Sequence, residues 1–340
     1  MEFNNVYFHN IEQMEYDQES KSYLLYRFDQ KIRPMLGYRH LIKGQEKCQL
    51  PVGSEIRFIY DGDSAIIQLF PFDDDIYVTC YIGDFEHSRV LLKKGIVNDV
   101  VIQKHNRFLK INVGNEKKRR FSSNLFRVLI EDRSRIGFVS VTSDSKICLP
   151  TEIDMPKSTF LAYGSSITQG VGTFSNQNSY LQTFANLANV DVLNKGMSGC
   201  CLCEKEMVDY LMTIQCDYYL YELGANMRGV MDENEFERRV RYLFSMTSST
   251  HPDKKIFVID MLDFFNVQYK DYEGAEYKER SILYSLVLNK IVHEYPNIIL
   301  FESSDLLKEF TCVSADMLHP SEYGHHMMGY LLANKIKNYL

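Results

Sequence analysis

The chain has 340 residues, of which 45% are hydrophobic and 24% charged, and its formal net charge is -7 at pH 7. This composition is typical of a soluble globular protein, and the length favours two domains rather than one core. The negative charge disfavours a general nucleic-acid binder, which needs a basic surface to neutralise phosphates. The one basic run, residues 117–120, is predicted to be a solvated hairpin loop.

The amino terminus lacks the basic start and apolar stretch of a secretory signal, and no window reaches the ~20 apolar residues of a membrane span. We therefore expect a cytoplasmic protein without membrane contact, whose eight cysteines are reduced. Cys200, Cys201 and Cys203 lack the paired Cys-x-x-Cys spacing of a zinc site, so packed thiols are predicted. We expect neither a metal nor a cofactor.

Residues 1–150 are predicted to be rich in β-strands. Residues 55–60 alternate polar and apolar side chains, Asp61-Gly62 supplies a turn, and residues 64–69 resume the alternation, as in a hairpin. Further short strands are predicted over residues 76–82, 89–92, 97–102, 108–113, 126–130 and 136–141. This spacing favours an antiparallel β-sandwich or jelly roll. The run Asp73-Asp74-Asp75 lacks the flanking ligands of a calcium loop, so a solvated turn is predicted.

Strands and helices alternate after residue 157. Pro150 and Pro156 bracket a short polar stretch, so we predict two domains, residues 1–150 and 157–340. Helices are predicted over residues 178–189, 233–246, 277–295 and 322–340. Strands are predicted over residues 160–163, 190–193, 218–223, 256–261 and 298–301. This alternation predicts a parallel sheet covered by helices on both faces.

Four loops at the ends of these elements carry the groups that an acyl hydrolase needs. They are Gly164-Ser165-Ser166, residues 194–199, residues 223–227 and residues 316–320. A serine after a buried strand lies at the carboxyl edge of the sheet, where open α/β folds place their chemistry. A nucleophilic serine also needs a base, a group that orients the base, and donors to the developing oxyanion.

Each of these roles has a candidate. Asp316-x-x-His319 places a carboxylate and an imidazole in one short loop. Asn226 offers an amide donor, and Gly199 offers a backbone N–H that no side chain obstructs. Alone, an Asp-x-x-His is usually a helix cap near a surface histidine, and a Gly-x-Asn is usually a turn. Their joint occurrence favours serine catalysis.

At these residues the sequence resembles the SGNH, or GDSL-like, hydrolase family. The matching blocks are Gly164-Ser165-Ser166-Ile167-Thr168-Gln169-Gly170, Asn194-x-Gly196-x-x-Gly199, Gly224-Ala225-Asn226 and Asp316-x-x-His319. The resemblance implies a three-layer α/β/α fold of flavodoxin-like strand order, with Ser166 as nucleophile beside Asp316 and His319. It also implies an oxyanion hole made by the backbone N–H groups of Ser166 and Gly199 and the Asn226 side chain.

The sequence departs from the family pattern at two positions. Ser165 stands where an acidic residue usually precedes the nucleophile, and Met227 stands where one usually follows the asparagine. These departures put the bracing of the loops and the substrate range in question. A serine at the first position and a β-rich domain ahead of the hydrolase look like the two-domain carbohydrate esterases of family 2. That likeness implies removal of acetyl or other short acyl groups from a sugar, either a small molecule or an oligosaccharide ester.

Several alternatives are weighed against this interpretation. A lipase of the other α/β hydrolase fold would need Gly-x-Ser-x-Gly, which the nucleophile block lacks. A metallohydrolase would need convergent ligands, whereas His325 and His326 are adjacent and point to different sides of a helix. A non-catalytic carbohydrate-binding protein stays open, since 13% of the residues are aromatic, although none is tryptophan. An esterase acting on short esters of non-sugar alcohols stays open as well.

Three further polar residues near the predicted site are left out of the catalytic set. Arg228 is expected either to reach a substrate oxygen or to form a surface salt bridge. Asp260 and Asp263 are expected to cap a helix or a turn. Since all four motif loops follow residue 163, the first domain is expected to add sugar contacts and no chemistry. The substrate-binding residues, the sugar, the acyl length and the oligomeric state stay undetermined.

Overall fold

The computed structural model describes residues 1–110, 119–262 and 272–340. The first half of the chain is built mainly of antiparallel strands. They are β1 (Glu2–Phe3), β2 (Val6–His9), β3 (Gln13–Asp17), β4 (Ser22–Tyr26), β5 (Glu55–Tyr60), β6 (Ser64–Pro71), β7 (Ile76–Ile82), β8 (Phe85–Leu92), β9 (Asn98–Gln103), β10 (Leu125–Ile130), β11 (Ile136–Ser143) and β12 (Ile147–Cys148), with a short helix α1 (Lys43–Lys47). One sheet has the order β1-β2-β5-β10-β7-β8, with β12 paired to β5, and the other has the order β3-β4-β11-β6-β9.

These two sheets share one hydrophobic core. Along β6, buried side chains alternate with more exposed ones, the period expected of a strand with one face inward. The rings of Phe8 and Phe138, which come from different sheets, pack edge to face with centroids 4.9 Å apart. The predicted antiparallel sandwich is therefore confirmed. The strands before residue 55, which have two to five residues each, were not individually predicted.

Three predictions in this half need correction. Residues 55–60 and 64–69 form strands but not the predicted hairpin, because β5 and β6 belong to different sheets and the chain crosses from one sheet to the other at Asp61-Gly62. Phe108–Lys110 form a turn of 3-10 helix rather than the start of a strand, and residues 111–113 of that predicted strand lie outside the described residues. Lys117 and Lys118 of the predicted solvated loop also lie outside them. Arg120 of the same run is buried, and its guanidinium Nε donates to the carbonyl of Val190 in the second half at 2.7 Å. This residue is therefore not part of a solvated loop.

The second half alternates strands and helices as predicted. They are β13 (Thr159–Tyr163), α2 (Ser166–Gln169), α3 (Tyr180–Ala188), β14 (Asp191–Asn194), α4 (Lys205–Leu211), β15 (Tyr218–Glu222), α5 (Glu233–Thr250), β16 (Ile256–Ile259), α6 (Tyr272–Val292), β17 (Ile298–Phe301), α7 (Ser303–Leu306) and α8 (Glu322–Ile336). The strands are parallel in the order β14-β13-β15-β16-β17, which is the flavodoxin-like order. The predicted boundaries are displaced by up to five residues, and the helices α2, α4 and α7 were not predicted.

Successive residues of β13 enter two different cores. Phe160 and Ala162 pack with residues of α3 and α8, whereas Leu161 and Tyr163 pack with residues of α4, α5 and α6. Because neighbouring side chains of a strand point to opposite faces, the sheet is covered on both sides. The three-layer α/β/α arrangement is therefore confirmed.

The two halves of the chain are joined by buried charges. The Arg57 guanidinium of β5 donates two hydrogen bonds to the Asp191 carboxylate of β14, at 2.5 and 2.9 Å. Both side chains are almost fully buried. Burial opposes the charged carboxylate, but Arg57 outweighs it and holds the pKa of Asp191 well below its usual value. Whether residues 1–150 and 157–340 are separate folding domains stays a prediction.

In the described part of the chain, none of the helices combines the length and the apolar character that a membrane crossing would require.

Candidate active site

Ser166 is the first residue of α2, directly after the turn that ends β13. Ser165 caps this helix, since its hydroxyl accepts a hydrogen bond from the backbone N–H of Ile167 at 3.1 Å. Gly170 ends the helix in a left-handed conformation at a φ of 100°. A strand followed at once by a capped helix thus holds Ser166 at the carboxyl edge of the sheet.

Ser166, His319 and Asp316 form a continuous chain of hydrogen bonds. The Ser166 Oγ lies 2.8 Å from His319 Nε2, and His319 Nδ1 lies 2.6 Å from Asp316 Oδ2. With the Nδ1 proton directed at the carboxylate, Nε2 is free to accept the proton of the serine hydroxyl. The structure therefore brings together three residues that lie 153 positions apart at the widest.

The Asp316 carboxylate is itself held in place. Its Oδ1 accepts hydrogen bonds from the backbone N–H groups of Leu318 and His319, both at 2.9 Å, and from the Ser314 hydroxyl at 2.6 Å. Burial opposes the charged form, but the hydrogen bonds from His319 and Ser314 outweigh it and keep the pKa of Asp316 well below its usual value. The group that orients the imidazole thus stays ionised at neutral pH.

The loop of residues 194–199, called the oxyanion-side loop below, packs against the turn of residues 164–166, called the nucleophile turn below. The Met197 N–H donates to the Gly164 carbonyl at 2.9 Å, and the Ser198 N–H donates to the Gln169 side chain at 3.1 Å. Gly196 approaches so closely that a Cβ at this position would lie 2.4 Å from the backbone nitrogen of Gln169. A glycine at position 196 is therefore required for this contact.

Asn226 is bonded to the segment that directly follows the oxyanion-side loop. The Asn226 Oδ1 accepts a hydrogen bond from the Cys201 N–H at 3.0 Å, two residues after Gly199. This bond orients the amide, so that its Nδ2 donor is turned away from Cys201. Gly199 is exposed and adopts a φ of 73°, a conformation that disfavours residues with a side chain. Ser166, Gly199 and Asn226 all follow strands that end at the same edge of the sheet.

Glu222 is a residue at this site that the sequence analysis missed. It is the last residue of β15 and is buried, and its Oε2 accepts hydrogen bonds from the Ser165 N–H, the Ser165 hydroxyl and the Thr168 hydroxyl. Burial raises the pKa of the Glu222 carboxyl, while the bonds from Ser165 and Thr168 act in the opposite direction. A charged residue inside the apolar run of β15 was the available signal.

The loop that follows α2 contacts the loop of residues 316–320, which carries His319. Gly172 lies so near that a Cβ there would be 2.1 Å from the Pro320 carbonyl oxygen and 3.3 Å from the Cβ of His319. His325 of α8 is buried, and its Nε2 lies 2.9 Å from the Val171 carbonyl. Burial lowers the pKa of His325 to about 4, so the ring is neutral and Nε2 is its donor. His326 is exposed whereas His325 is buried, so the two point to different sides of the helix, as predicted.

The remaining polar candidates have structural contacts. Arg228 is buried, so it is not at the surface as one of its two expected roles required, and it donates to the Ser281 hydroxyl at 2.9 Å. Asp260 accepts hydrogen bonds from the Ser285 hydroxyl at 2.6 Å and the Met261 N–H at 2.7 Å. Asp263 lies outside the described residues.

The candidate ligand clusters likewise show ordinary packing or pairing. Cys200, Cys201 and Cys203 are buried free thiols. Asp73 pairs with Arg135, and Asp75 pairs with Lys93. No group of three or more His, Cys, Asp or Glu side chains placed to hold a metal ion occurs in residues 1–110, 119–262 and 272–340.

Residues 157–337 match the family model described as the GDSL-like Lipase/Acylhydrolase family. The match spans more than half of the chain. The chain belongs to this family. The GDSL-like match contains all four loops that form the site, and it begins where the parallel sheet begins.

Solved structures extend the likeness of this GDSL-like protein to its first half. The salicylyl-acyltransferase SsfX3 from a tetracycline biosynthetic pathway superimposes with a TM-score of 0.78 at 11% identity, covering 99% of this chain and 95% of that one. A Bacteroides ovatus protein classed with the GDSL-like lipases has a TM-score of 0.69 at 16% identity, covering 98% of each chain.

A family two carbohydrate esterase from Clostridium thermocellum, in complex with cellohexaose, has a TM-score of 0.62 at 14% identity, covering 85% of this chain and 93% of that one. At these identities the similarity establishes the shared fold, including the sandwich ahead of the hydrolase fold. The search of curated proteins found no match.

Proposed function

We propose that this protein is a serine esterase that removes acetyl or other short acyl groups from a carbohydrate. The observation that carries the proposal is the hydrogen-bond chain from Ser166 through His319 to Asp316, with spacings of 2.8 and 2.6 Å. This arrangement supplies a hydroxyl nucleophile, a base and a carboxylate that orients the base.

In the proposed reaction, Ser166 Oγ attacks the ester carbonyl while its proton passes to His319 Nε2. The carbonyl oxygen becomes an oxyanion, which accepts hydrogen bonds from the backbone N–H groups of Ser166 and Gly199 and from Asn226 Nδ2. The C–O bond to the alcohol then breaks, and the alcohol oxygen takes the proton from His319. Water attacks the acyl-enzyme in the same way, giving the carboxylic acid and free Ser166.

The carbohydrate part of the proposal is supported by the shared two-part architecture with a carbohydrate esterase. Esters of non-sugar alcohols are the alternative substrates. Transfer of the acyl group to an alcohol instead of water is a second candidate, favoured by the higher TM-score of the acyltransferase. The alignment of Ser166 with a base argues against a purely carbohydrate-binding role, which needs no such hydrogen bond.

The test is acetate release from a panel of acetylated mono- and oligosaccharides, with p-nitrophenyl acetate as the general ester. Ser166→Ala should abolish both activities, whereas Ser245→Ala, at an exposed serine of α5, should leave them unchanged. Turnover of the activated ester without release from any sugar would refute the carbohydrate substrate. Product carrying the acyl group on an added alcohol would favour transfer. Full activity of Ser166→Ala would refute the mechanism.

A further inference from the structure

The oxyanion-side loop is held on one face by the nucleophile turn and on the other face by the first half of the chain. Arg27, the residue after β4, is fully buried. Its Nη1 donates to the carbonyl oxygens of Asn194 at 2.8 Å and of Gly196 at 3.0 Å. One guanidinium nitrogen thus bridges the carbonyl oxygens of the two residues that flank Lys195.

The loop in turn binds the backbone of Arg27. The Lys195 Nζ is fully buried and donates to the Arg27 carbonyl at 2.6 Å. It also lies 3.2 Å from the Glu12 carboxylate. The contact is therefore reciprocal. Arg27 bonds to the main chain on both sides of Lys195, and Lys195 bonds to the main chain of Arg27.

The Arg27 guanidinium and the Asn194 carbonyl each make a further hydrogen bond with the first half of the chain. Arg27 Nε donates to the Leu50 carbonyl at 2.6 Å, and the Asn10 side chain donates to the same Asn194 carbonyl at 2.9 Å. Placing a cation in the interior is costly unless hydrogen bonds compensate it. Here the compensation comes largely from carbonyl groups of the oxyanion-side loop, so the loop and Arg27 constrain each other.

The geometry points to Arg27 as a positioning residue for the oxyanion hole. By fixing the carbonyls of Asn194 and Gly196, it sets the path of the chain that leads to the Gly199 N–H three residues later. An oxyanion donor is effective only at about 2.7–3.1 Å from the developing charge, and a displacement of about 1 Å costs on the order of 100-fold in rate. The first half of the chain thus completes the hydrolytic machinery. This inference rests on the proposed esterase function.

The experiment compares two buried arginines that cross the same boundary between the halves. Arg120 donates to the Val190 carbonyl at 2.7 Å and to the Asn186 side chain at 2.8 Å, without a hydrogen bond to residues 194–199. Arg27→Lys, Arg27→Met and Arg120→Met are purified as full-length chains. For each, kcat and KM on p-nitrophenyl acetate and the melting temperature are measured.

We expect Arg27→Met to lower kcat by about 10- to 100-fold with little change in KM, because the donor acts mainly in the transition state. Arg27→Lys keeps the charge and one donor group, so its kcat should lie between those of Arg27→Met and the wild type. Acylation and deacylation should slow together, since both pass through an oxyanion. Arg120→Met should lower the melting temperature but keep kcat within about threefold.

Equal losses of kcat in Arg27→Met and Arg120→Met, or an unchanged kcat in Arg27→Met, would overturn the positioning role while leaving the esterase proposal intact. If Arg27→Met does not fold, Arg27→Lys decides, because it replaces the Nη1 donor that bridges the Asn194 and Gly196 carbonyls. A kcat lowered at constant KM would support the inference, and an unchanged kcat would overturn it. A wild type inactive on every ester would overturn both proposals.

Discussion

The Glu222 carboxylate accepts two hydrogen bonds from Ser165, one from its N–H at 2.8 Å and one from its hydroxyl at 2.6 Å. The same oxygen accepts a third from the Thr168 hydroxyl at 3.1 Å. The family usually has an acidic residue at the position of Ser165. Here a buried carboxylate on the neighbouring strand β15 braces the turn.

This relationship predicts a compensating pair of substitutions. Glu222→Gln replaces a triple acceptor with an amide and should lower kcat by about 10- to 100-fold, because the turn that aims Ser166 loosens. Ser165→Asp should be equally harmful, since it places a second carboxylate against Glu222. The double variant, which carries both Ser165→Asp and Glu222→Gln, should have a higher kcat on p-nitrophenyl acetate than either single variant. If the two losses simply multiply in the double variant, the bracing role is wrong.

Asp316→Asn should lower kcat by about 10³- to 10⁴-fold. Because Oδ1 already accepts three hydrogen bonds, the new amide nitrogen would occupy the place of Oδ2 and donate to His319 Nδ1. The imidazole proton would then move to Nε2, which could no longer accept the proton of Ser166. Ser314→Ala removes one bond to the same carboxylate and serves as the control, with an expected loss below about tenfold. Similar rates for Asp316→Asn and Ser314→Ala would contradict the tautomer argument.

Asn226→Ala should fold normally and lose about 10²- to 10³-fold in kcat, the usual cost of removing one oxyanion donor. Asn226→Asp keeps an oxygen for the Cys201 N–H but replaces the donor with a negative oxygen, so its activity should be lower still. Both are measured on p-nitrophenyl acetate. A loss smaller than about threefold in the alanine variant would exclude Asn226 as a donor.

The raised pKa of Glu204 should make the free energy of unfolding depend on pH. Burial raises the pKa of its carboxyl from 4.5 to about 7, while its Oε1 accepts a hydrogen bond from the Gly37 N–H. Between these two values the folded state binds more protons than the unfolded state, so the free energy of unfolding falls as the pH rises through this range. Glu204→Gln removes this dependence. Urea unfolding should therefore show that the free energy of unfolding of Glu204→Gln, relative to that of the wild type, increases by about 1–3 kcal/mol between about pH 4.5 and pH 8. A difference that does not change with pH would contradict the raised pKa.

The buried contacts between the halves change the expectation for a shortened chain. Because all four motif loops follow residue 163, the sequence alone predicts that a chain beginning at Lys157 hydrolyses a small ester. Such a chain would lack Arg57 and leave the buried Asp191 carboxylate exposed or unpaired, and it would lack Arg27 beneath the oxyanion-side loop. Removing one partner of a buried pair costs about 3–5 kcal/mol. We now expect this fragment to unfold at a lower temperature and to have less than about a tenth of the wild-type kcat. A folded fragment with near wild-type kcat would contradict this.

The sequence by itself determined the fold class and the identity of the predicted reactive groups. Apolar runs such as β13 and β15, separated by helices, predict a parallel sheet, because a strand buried on both faces carries no polar alternation. The residues Gly164-Ser165-Ser166 mark the turn, because glycine and serine are common turn residues. These are local properties of the chain, so they are visible without the fold.

The tertiary structure decided which distant groups meet. Nothing in the sequence near Arg27 indicates that its guanidinium bonds to Asn194 and Gly196, and nothing near Ser165 indicates that Glu222 braces it. These contacts depend on how the sandwich docks on the parallel sheet and on which strands become neighbours. A polar side chain in an apolar segment shows only that it needs a partner, because burial without one is costly. Which atom becomes that partner is determined by packing across the whole molecule.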